Sequence, residues 1–279
     1  MTAHLSHGLL EGLERSEIAA WGDFYRAASA ESIERCGLQV SEPDGAPLIA
    51  IASVADVLGL NRVAGLGMGK TVEAEDIHDL VARFTAAGVP RFFVQLGPQA
   101  EGPDLTALLV QHGFRHYNNW VKLYRDAAPA PEVATDLTVR VIDRDGAAEF
   151  GRIVADCFGW PEATSHWVAD LVGRSGWLHY MAYDGPIPVA TAALYIYHDY
   201  AWIDFATTLS EYRGRGAQGA LLAHRIEDAR QRGCLYLVVE TAEETPQKSA
   251  PSFRNMRRYG FQEAYVRPNY IYSSQPAPA

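Results

Sequence analysis

Cysteine is scarce and scattered. Cys36, Cys157 and Cys234 are the only three, and no C-x-x-C pair occurs. That pattern argues against a disulfide framework and for reduced thiols, with Cys234 a packing residue beside a buried strand. Positive charge is also short: 24 Lys and Arg against 34 Asp and Glu leave a formal net charge of −10. A general nucleic-acid binder or a protein of anionic membrane surfaces would show the opposite balance. No run of about twenty apolar residues is present to span a bilayer, and no secretory leader is recognisable. The expectation is a soluble, cytoplasmic protein.

Further absences narrow the chemistry. No G-x-S-x-G elbow and no His/Cys nucleophile arrangement is found. His4 with His7 and His112 with His116 have spacings that suggest ligation, but Gly113 interrupts the second pair. Neither pair has a cysteine or carboxylate in register, so no metal is expected. What remains is a chain of 279 residues, 48% hydrophobic and 21% charged, the profile of a globular protein with room for two domains.

Periodicity predicts helix over residues 1–35, a turn at 41–47, strands at 48–54 and 62–66, and a helix over 73–87 ended by Gly88. A strand at 91–96, a short helix at 105–112 and a strand around 120–124 follow. Residues 127–136, rich in Pro and Ala, read as a linker. Beyond it come a strand at 137–142, helices at 146–158 and 165–172, and strands at 177–183, 188–197 and 200–208. A helix ends at Gly233, followed by the continuous apolar strand 235–240, a short helix at 252–259 and a strand at 269–272. Residues 274–279 read as a disordered tail.

The two halves repeat one another. Each runs strand, loop, amphipathic helix, Gly, buried strand, short helix, Gly-Phe, strand. The interval is 25 residues from Gly88 to Gly113 and 27 from Gly233 to Gly260, with the landmarks offset by 145 to 147 positions. The predicted division is 1–126, linker 127–136, and 137–273.

The chain is organised around TTLSEYRGRGAQGALLAHRIEDARQRG, residues 207–233. Gly219, Leu222, Ala223, Ile226 and Ala229 give the helix one apolar face. Ahead of it, Arg213, Gly214, Arg215 and Gly216 form a loop free of acidic residues. Glycines let successive amides turn toward one point, and the helix start adds unpaired donors and the positive end of its dipole. Such a loop suits a phosphate or pyrophosphate; a surface turn with two solvated arginines is the alternative. The matching loop of the first half, AGLGMGKT (64–71), differs. Ala64 stands where a Walker A loop needs glycine, and Glu73, Glu75 and Asp76 crowd the helix start, repelling a diphosphate.

YRGRGAQGALL, between strand and helix, resembles the phosphate-binding motif of the GNAT superfamily of N-acetyltransferases, Arg/Gln-x-x-Gly-x-Gly/Ala. Arg213 and Gly216 fill the first two fixed positions; Gln218 stands at the third, with Gly219 one residue late. The resemblance covers about residues 137–273 and implies an α/β (α+β, mixed-sheet) fold of tandem GNAT-like halves, the first without an intact cofactor motif. It implies further that the amides of Gly214, Gly216, Ala217, Gln218 and Gly219, with Arg213 and Arg215, hold the pyrophosphate of acetyl-CoA. The pantetheine arm would lie between strands 200–208 and 235–240, paired by main-chain groups near Thr207 and Thr208. Asn255 is a further candidate contact.

The implied activity is transfer of acetyl from acetyl-CoA to a small-molecule or amino-acid-like amine by direct attack. An alkylammonium of pKa about 10 must first lose a proton, and Asp204 and Glu240 are the candidate bases. An amide near Thr208 is the candidate oxyanion donor. Many members carry a tyrosine acid four residues before the Gly-Phe glycine. That position is Met256 here, which leaves Tyr259 as the candidate acid and keeps open a non-catalytic acyl-CoA-binding or interaction protein. The aromatic residues between Trp160 and Trp202 belong either to the core or to an acceptor pocket, with Trp160, Glu162 and His166 as candidate lining. A small-molecule amine is the expected partner; nucleic acid and membrane are not, and a homodimer is left open.

Overall fold

Helices form where apolar side chains recur at three- and four-residue spacing, and strands where β-branched and small apolar residues run together. The computed structural model describes residues 5–42, 47–100 and 104–274. The single helical stretch expected at the N-terminus is two helices, α1 (His7–Arg26) and α2 (Ala30–Cys36), started by the side chains of Ser6 and Ser29 accepting from the amides of Leu9 and Ser32. These are ordinary serine N-caps, and Gly37 at φ +64° ends the second. Then come β1 (Leu38–Ser41), which was not anticipated, β2 (Leu48–Ala52), β3 (Arg62–Ala64), α3 (Ala74–Ala86), β4 (Arg91–Gln95), α4 (Leu105–Gln111) and β5 (Arg115–Asp126). The second half follows as β6 (Thr138–Ile142), α5 (Ala147–Phe158), α6 (Ala163–Asp170), β7 (Trp177–Asp184), β8 (Ile187–Tyr197), β9 (Tyr200–Thr208), α7 (Ala217–Gln231), β10 (Tyr236–Ala242), α8 (Pro251–Arg258) and β11 (Gln262–Ser273). Most of the expected turn at 41–47, His4, and tail residues 275–279 lie outside the described residues.

All eleven strands join one mixed sheet, in the order β1-β2-β3-β4-β11-β5-β10-β9-β8-β7-β6. The repeat is visible in that order. β3 pairs parallel with β4, and β9 parallel with β10. Each half then gives its last strand to the other: β11 lies antiparallel on β4, β5 antiparallel on β10, and the two exchanged strands pair with each other at the centre. Both are twelve residues long, longer than the short strands expected from sequence, because each spans two neighbours from different halves.

Three apolar cores hold the layers. α3 and α4 cover one face of the first half through Ile77, Leu80, Phe84 and Leu109. On the second half that face is covered by α7 and α8, with Leu222, Ile226, Met256 and Phe261. The opposite face is shared: α1 brings Leu13, Ile18, Trp21 and Phe24 into one core with Phe150 and Trp167 of α5 and α6 and with Trp202 and Phe205 of β9. Phe24 stacks on Trp167 at 4.0 Å between centroids. The first helix of the chain therefore packs on strands of the second half. The segment 127–136 has no helix or strand, yet Thr135 Oγ1 donates to the Arg215 carbonyl at 2.7 Å, so it is laid along the start of α7.

Candidate active site

β9 and β10 pair only at their beginnings, Tyr236 with Tyr200 through Val238 with Trp202, and then part. The cause lies on the far side of β9. Its register with β8 shifts between Thr191 and Ala193, and Phe205 takes φ +50°. A bulge of this kind bends a strand and increases its twist, and left-handed backbone is costly for an aromatic residue. Asp204 stabilises it: its carboxylate accepts from the Phe205 amide at 2.7 Å and from the Trp202 indole N–H at 3.1 Å.

At the outer end of the gap lies the glycine loop. Gly214 and Gly216 both have φ +83°. Gly216 is the N-cap residue of α7 and offers no side chain to it. Among the described residues, the six amides from Gly214 to Gly219 find no acceptor, so the helix start keeps its full complement of free donors. A Cβ on Gly216 would meet the Ala134 carbonyl at 2.8 Å, whereas one on Gly214 would meet nothing within 4 Å. Gly216 is thus required by the linker packed behind it, not by the open side of the loop.

The two arginines differ. Arg215 is paired with Asp184 at 2.7 Å and with Asp136, whereas Arg213 is exposed, its Nε at 3.3 Å from the Thr208 carbonyl. Gln218 reaches back across the gap. Its Nε2 donates to the Thr207 carbonyl at 2.6 Å and to Thr208 Oγ1 at 2.9 Å. Thr207 is buried, with its hydroxyl 2.7 Å from that of Thr191. Asn255 is half-buried on α8. The first-half loop borders a cavity of about 660 Å³, but its helix start is capped. Glu73 and Asp76 form a capping box on α3, and Lys70 Nζ bonds Asp76 at 2.9 Å. β3 and β4 stay paired through Ala64 and Gln95.

At the inner end of the gap is a cavity of about 460 Å³ bordered by both halves. Trp21, Arg62 and Trp120 come from the first; Phe158, Trp160, Trp202, Asp204 and Glu240 come from the second. Of the acceptor-side candidates only Trp160 lies here. His166 borders another cavity, on α5 and α6, and Glu162 stands at the start of α6. Tyr259 is not part of the cavity: its hydroxyl stands over Gly219, where an added Cβ would come within 2.1 Å. Met256, at the position of the family's tyrosine, is 5% exposed and belongs to the core under α7.

Glu240 belongs to a buried charge cluster. It pairs with Arg267 and lies 3.8 Å from Lys122. Lys122 also holds Glu17 and lies 3.7 Å from Glu14. Arg267 bonds Glu17 at 2.6 and 2.9 Å and Glu14 at 3.1 Å, and Arg62 is 3.6 Å from Glu17. Burial pushes the Glu240 carboxyl up to about 7, the pull of Arg267 only partly opposing it and the charge of Glu17 adding to it. Burial would also raise Glu17, but Arg267, Lys122 and Arg62 outweigh it and hold that carboxyl well below the usual range. Asp204 is raised by burial, against its bonds from Phe205 and Trp202. A carboxyl near neutrality beside a cavity suits a proton acceptor.

Asp204 and Glu240, the candidate bases, both border this cavity. Trp21, Arg62, Trp120, Glu14, Glu17, Lys122 and Arg267 border the cavity or pair around Glu240, and sequence reasoning missed them. One signal was available: Glu14, Glu17 and Trp21 recur at helical spacing, so two carboxylates share a face of α1 with a buried tryptophan. Among the described residues no group of three or more His, Cys, Asp and Glu is disposed to hold a metal, and no helix is long and apolar enough to cross a membrane.

No curated protein matches the chain in sequence. Among solved structures it is similar to a GCN5-related N-acetyltransferase from Kribbella flavida, with a TM-score of 0.59 at 16% identity over 91% of this chain and 96% of that one. It is similar to another from Sphaerobacter thermophilus, with a TM-score of 0.57 at 19% identity over 72% and 66%. A tandem GNAT protein from the clavulanic acid biosynthesis pathway gives a TM-score of 0.55 at 16% identity over 86% and 79%. At such identities the likeness is one of fold. Residues 147–256 match the model of the Acetyltransferase (GNAT) family. That segment is similar to a GNAT acetyltransferase domain, and the chain as a whole has a fold similar to that of a tandem GNAT protein.

Proposed function

We propose that the protein is an acetyl-CoA-dependent N-acetyltransferase whose second half, residues 137–273, carries the activity and whose first half walls the acceptor site. The observation that carries this reading is the gap between β9 and β10. It opens on uncapped amides at one end and on two carboxyls of raised pKa, Asp204 and Glu240, at the other.

The loop fits a diphosphate: six free amides, a helix start and Arg213 supply donors and positive potential, while Asp136 and Asp184 are held by Arg215. Acetyl-CoA supplies an activated thioester carbonyl. Glu240 takes the ammonium proton so that the nitrogen lone pair is free, and Arg267 and Lys122 steady the resulting charge arrangement. Asp204 keeps the bulge open and offers a second acceptor 2.7 Å from the Phe205 amide. The tryptophan walls exclude water, which strengthens each of these interactions. A thiolate leaving group of pKa about 8.5 places the smallest demand on an acid, consistent with a buried Met256.

The same Met256 favours a second reading, a non-catalytic acyl-CoA-binding protein. One experiment separates the two: acetyl-CoA and an amine panel are mixed with the protein and free thiol is followed. Release accelerated by an amine supports the transferase. Binding without acceleration by any amine supports the second reading. Acetyl-CoA at about a hundred times its Kd should add roughly 2.7 kcal/mol of stability in either case; no shift would sink both.

A further inference from the structure

We propose that the acceptor is a cationic primary amine with a flat apolar body and no carboxylate, its ammonium seated between Asp204 and Glu240. The inference rests on the transferase reading and extends it to the acceptor's chemistry.

The first observation is a carboxylate without an ion-pair partner. On this face of the sheet lie the carboxylates of Glu14, Glu17, Asp204 and Glu240, and the cations Arg62, Lys122 and Arg267. Every cation is within 4 Å of Glu14, Glu17 or Glu240. Asp204 has only neutral donors, the Trp202 indole and the Phe205 amide. Among the described residues Asp204 has no cation within 4 Å, Arg225 acting on it only at longer range, and it borders the cavity. A buried charge is stable when paired, so an arriving ammonium completes the set.

The second observation is the absence of a seat for an anion. Among the described residues Arg62 is the one cation bordering the cavity. Its Nε and Nη2 both donate to the Gly59 carbonyl, at 2.7 and 2.5 Å, its Nη1 faces Glu17, and Trp21 covers its plane at 3.8 Å. It has no free fork to offer a carboxylate. The third is the wall. Trp21, Trp120, Trp160 and Trp202 present flat rings whose faces are electronegative, and Lys122 already lies 4.9 Å over Trp202. A cavity of about 460 Å³ is in the size range of sites for small organic ligands.

Burial raises both carboxyls, and the bonds and cations around them only partly oppose it. The charged groups acting on them are Glu14 and Glu17 from α1, Arg62 from β3, Lys122 from β5, Arg225 from α7 and Arg267 from β11. Amine binding therefore strengthens as pH rises through about 7.

Binding to the full chain, without acetyl-CoA, is followed by tryptophan fluorescence and calorimetry using matched probes: tryptamine against tryptophan, phenethylamine against phenylalanine, and 3-phenylpropan-1-ol as a neutral body. Each amine should bind at least about tenfold tighter than its amino acid, whose carboxylate finds no partner, and than the alcohol, which brings no cation. Asp204→Asn, which keeps the acceptor oxygen for Phe205, should cost the amines about tenfold and leave the alcohol unchanged. Trp160→Ala, at the side of the cavity, should weaken tryptamine more than propylamine. Amino acids that bind as well as amines, or amine affinity untouched by Asp204→Asn in protein of unchanged far-UV spectrum, overturn the inference; if that variant does not fold, an equal loss for tryptamine and propylamine in Trp160→Ala does so. Thiol release is scored separately: an amine that binds as expected but is never acetylated refutes the transferase reading and leaves the site assignment intact.

Discussion

Glu17 of the first helix and Arg267 of the last strand form a bidentate ion pair, at 2.6 and 2.9 Å, across 250 positions of sequence. Both side chains are withdrawn from water, 1% and 0% exposed. The pair ties α1 to the exchanged strand β11 directly behind Glu240, so the floor of the proposed active site is built from both ends of the chain.

Removing one partner leaves the other buried and unpaired. Arg267→Met should cost about 3–5 kcal/mol of stability, read from the denaturation midpoint at constant m-value. A loss below about 1 kcal/mol would mean that water reaches the cluster.

Ionisation of Glu240 sets the pH dependence. With its carboxyl at about 7, kcat/KM for an amine should rise with pH through about 7, and Glu240→Gln should abolish that limb. The sign for stability is opposite. A carboxyl raised above its unfolded value favours the folded state while protonated; that contribution is complete below about pH 4.5 and is lost as pH rises to about 7. Glu17, lowered by its cations, works the other way, adding stability above its unfolded pKa and losing it as pH falls toward its folded value. The stability difference between the parent and Glu240→Gln should therefore shift against the parent between about pH 4.5 and 7, a trend measurable by urea titration at each pH.

Gln218 bonds the Thr207 carbonyl, a main-chain group on the edge of the gap where a pantetheine arm would pair. Gln218→Ala should tighten acetyl-CoA binding by about fivefold, the worth of one neutral hydrogen bond no longer competing. Weaker binding, measured by calorimetry, would mean that the side chain is itself a cofactor contact.

Gly216 has φ +83° and the Ala134 carbonyl behind it. Gly216→Val should strain the loop, displace the segment 133–135 and abolish acetyl-CoA binding together with a fall in Tm. Lys70→Ala is the control. Lys70 is bonded to Asp76 at the capped loop of the first half, and its loss should leave acetyl-CoA affinity within about twofold. Thermal shift with and without acetyl-CoA reads both, and a large effect of Lys70→Ala would move the cofactor to the other half.

The sequence by itself determined the local elements and the repeat. Strand 200–208 is as periodicity placed it. α7 runs from Ala217 to an end before Gly233 at φ +79°, because glycine conformations and helix periodicity are properties of neighbouring residues. The landmarks Gly113-Phe114 and Gly260-Phe261 mark equivalent turns for the same reason, with both phenylalanines buried. Tertiary structure alone decided the exchange of β5 and β11 and the burial of Glu14, Glu17, Lys122 and Arg267 around Glu240. It also turned Arg215 onto Asp136 and Asp184 and set the Tyr259 hydroxyl on Gly219. A charge pairs with whatever the fold brings within a few ångströms, and in a chain folded as two interleaved repeats those neighbours lie a hundred or more positions away, where no local spacing records them.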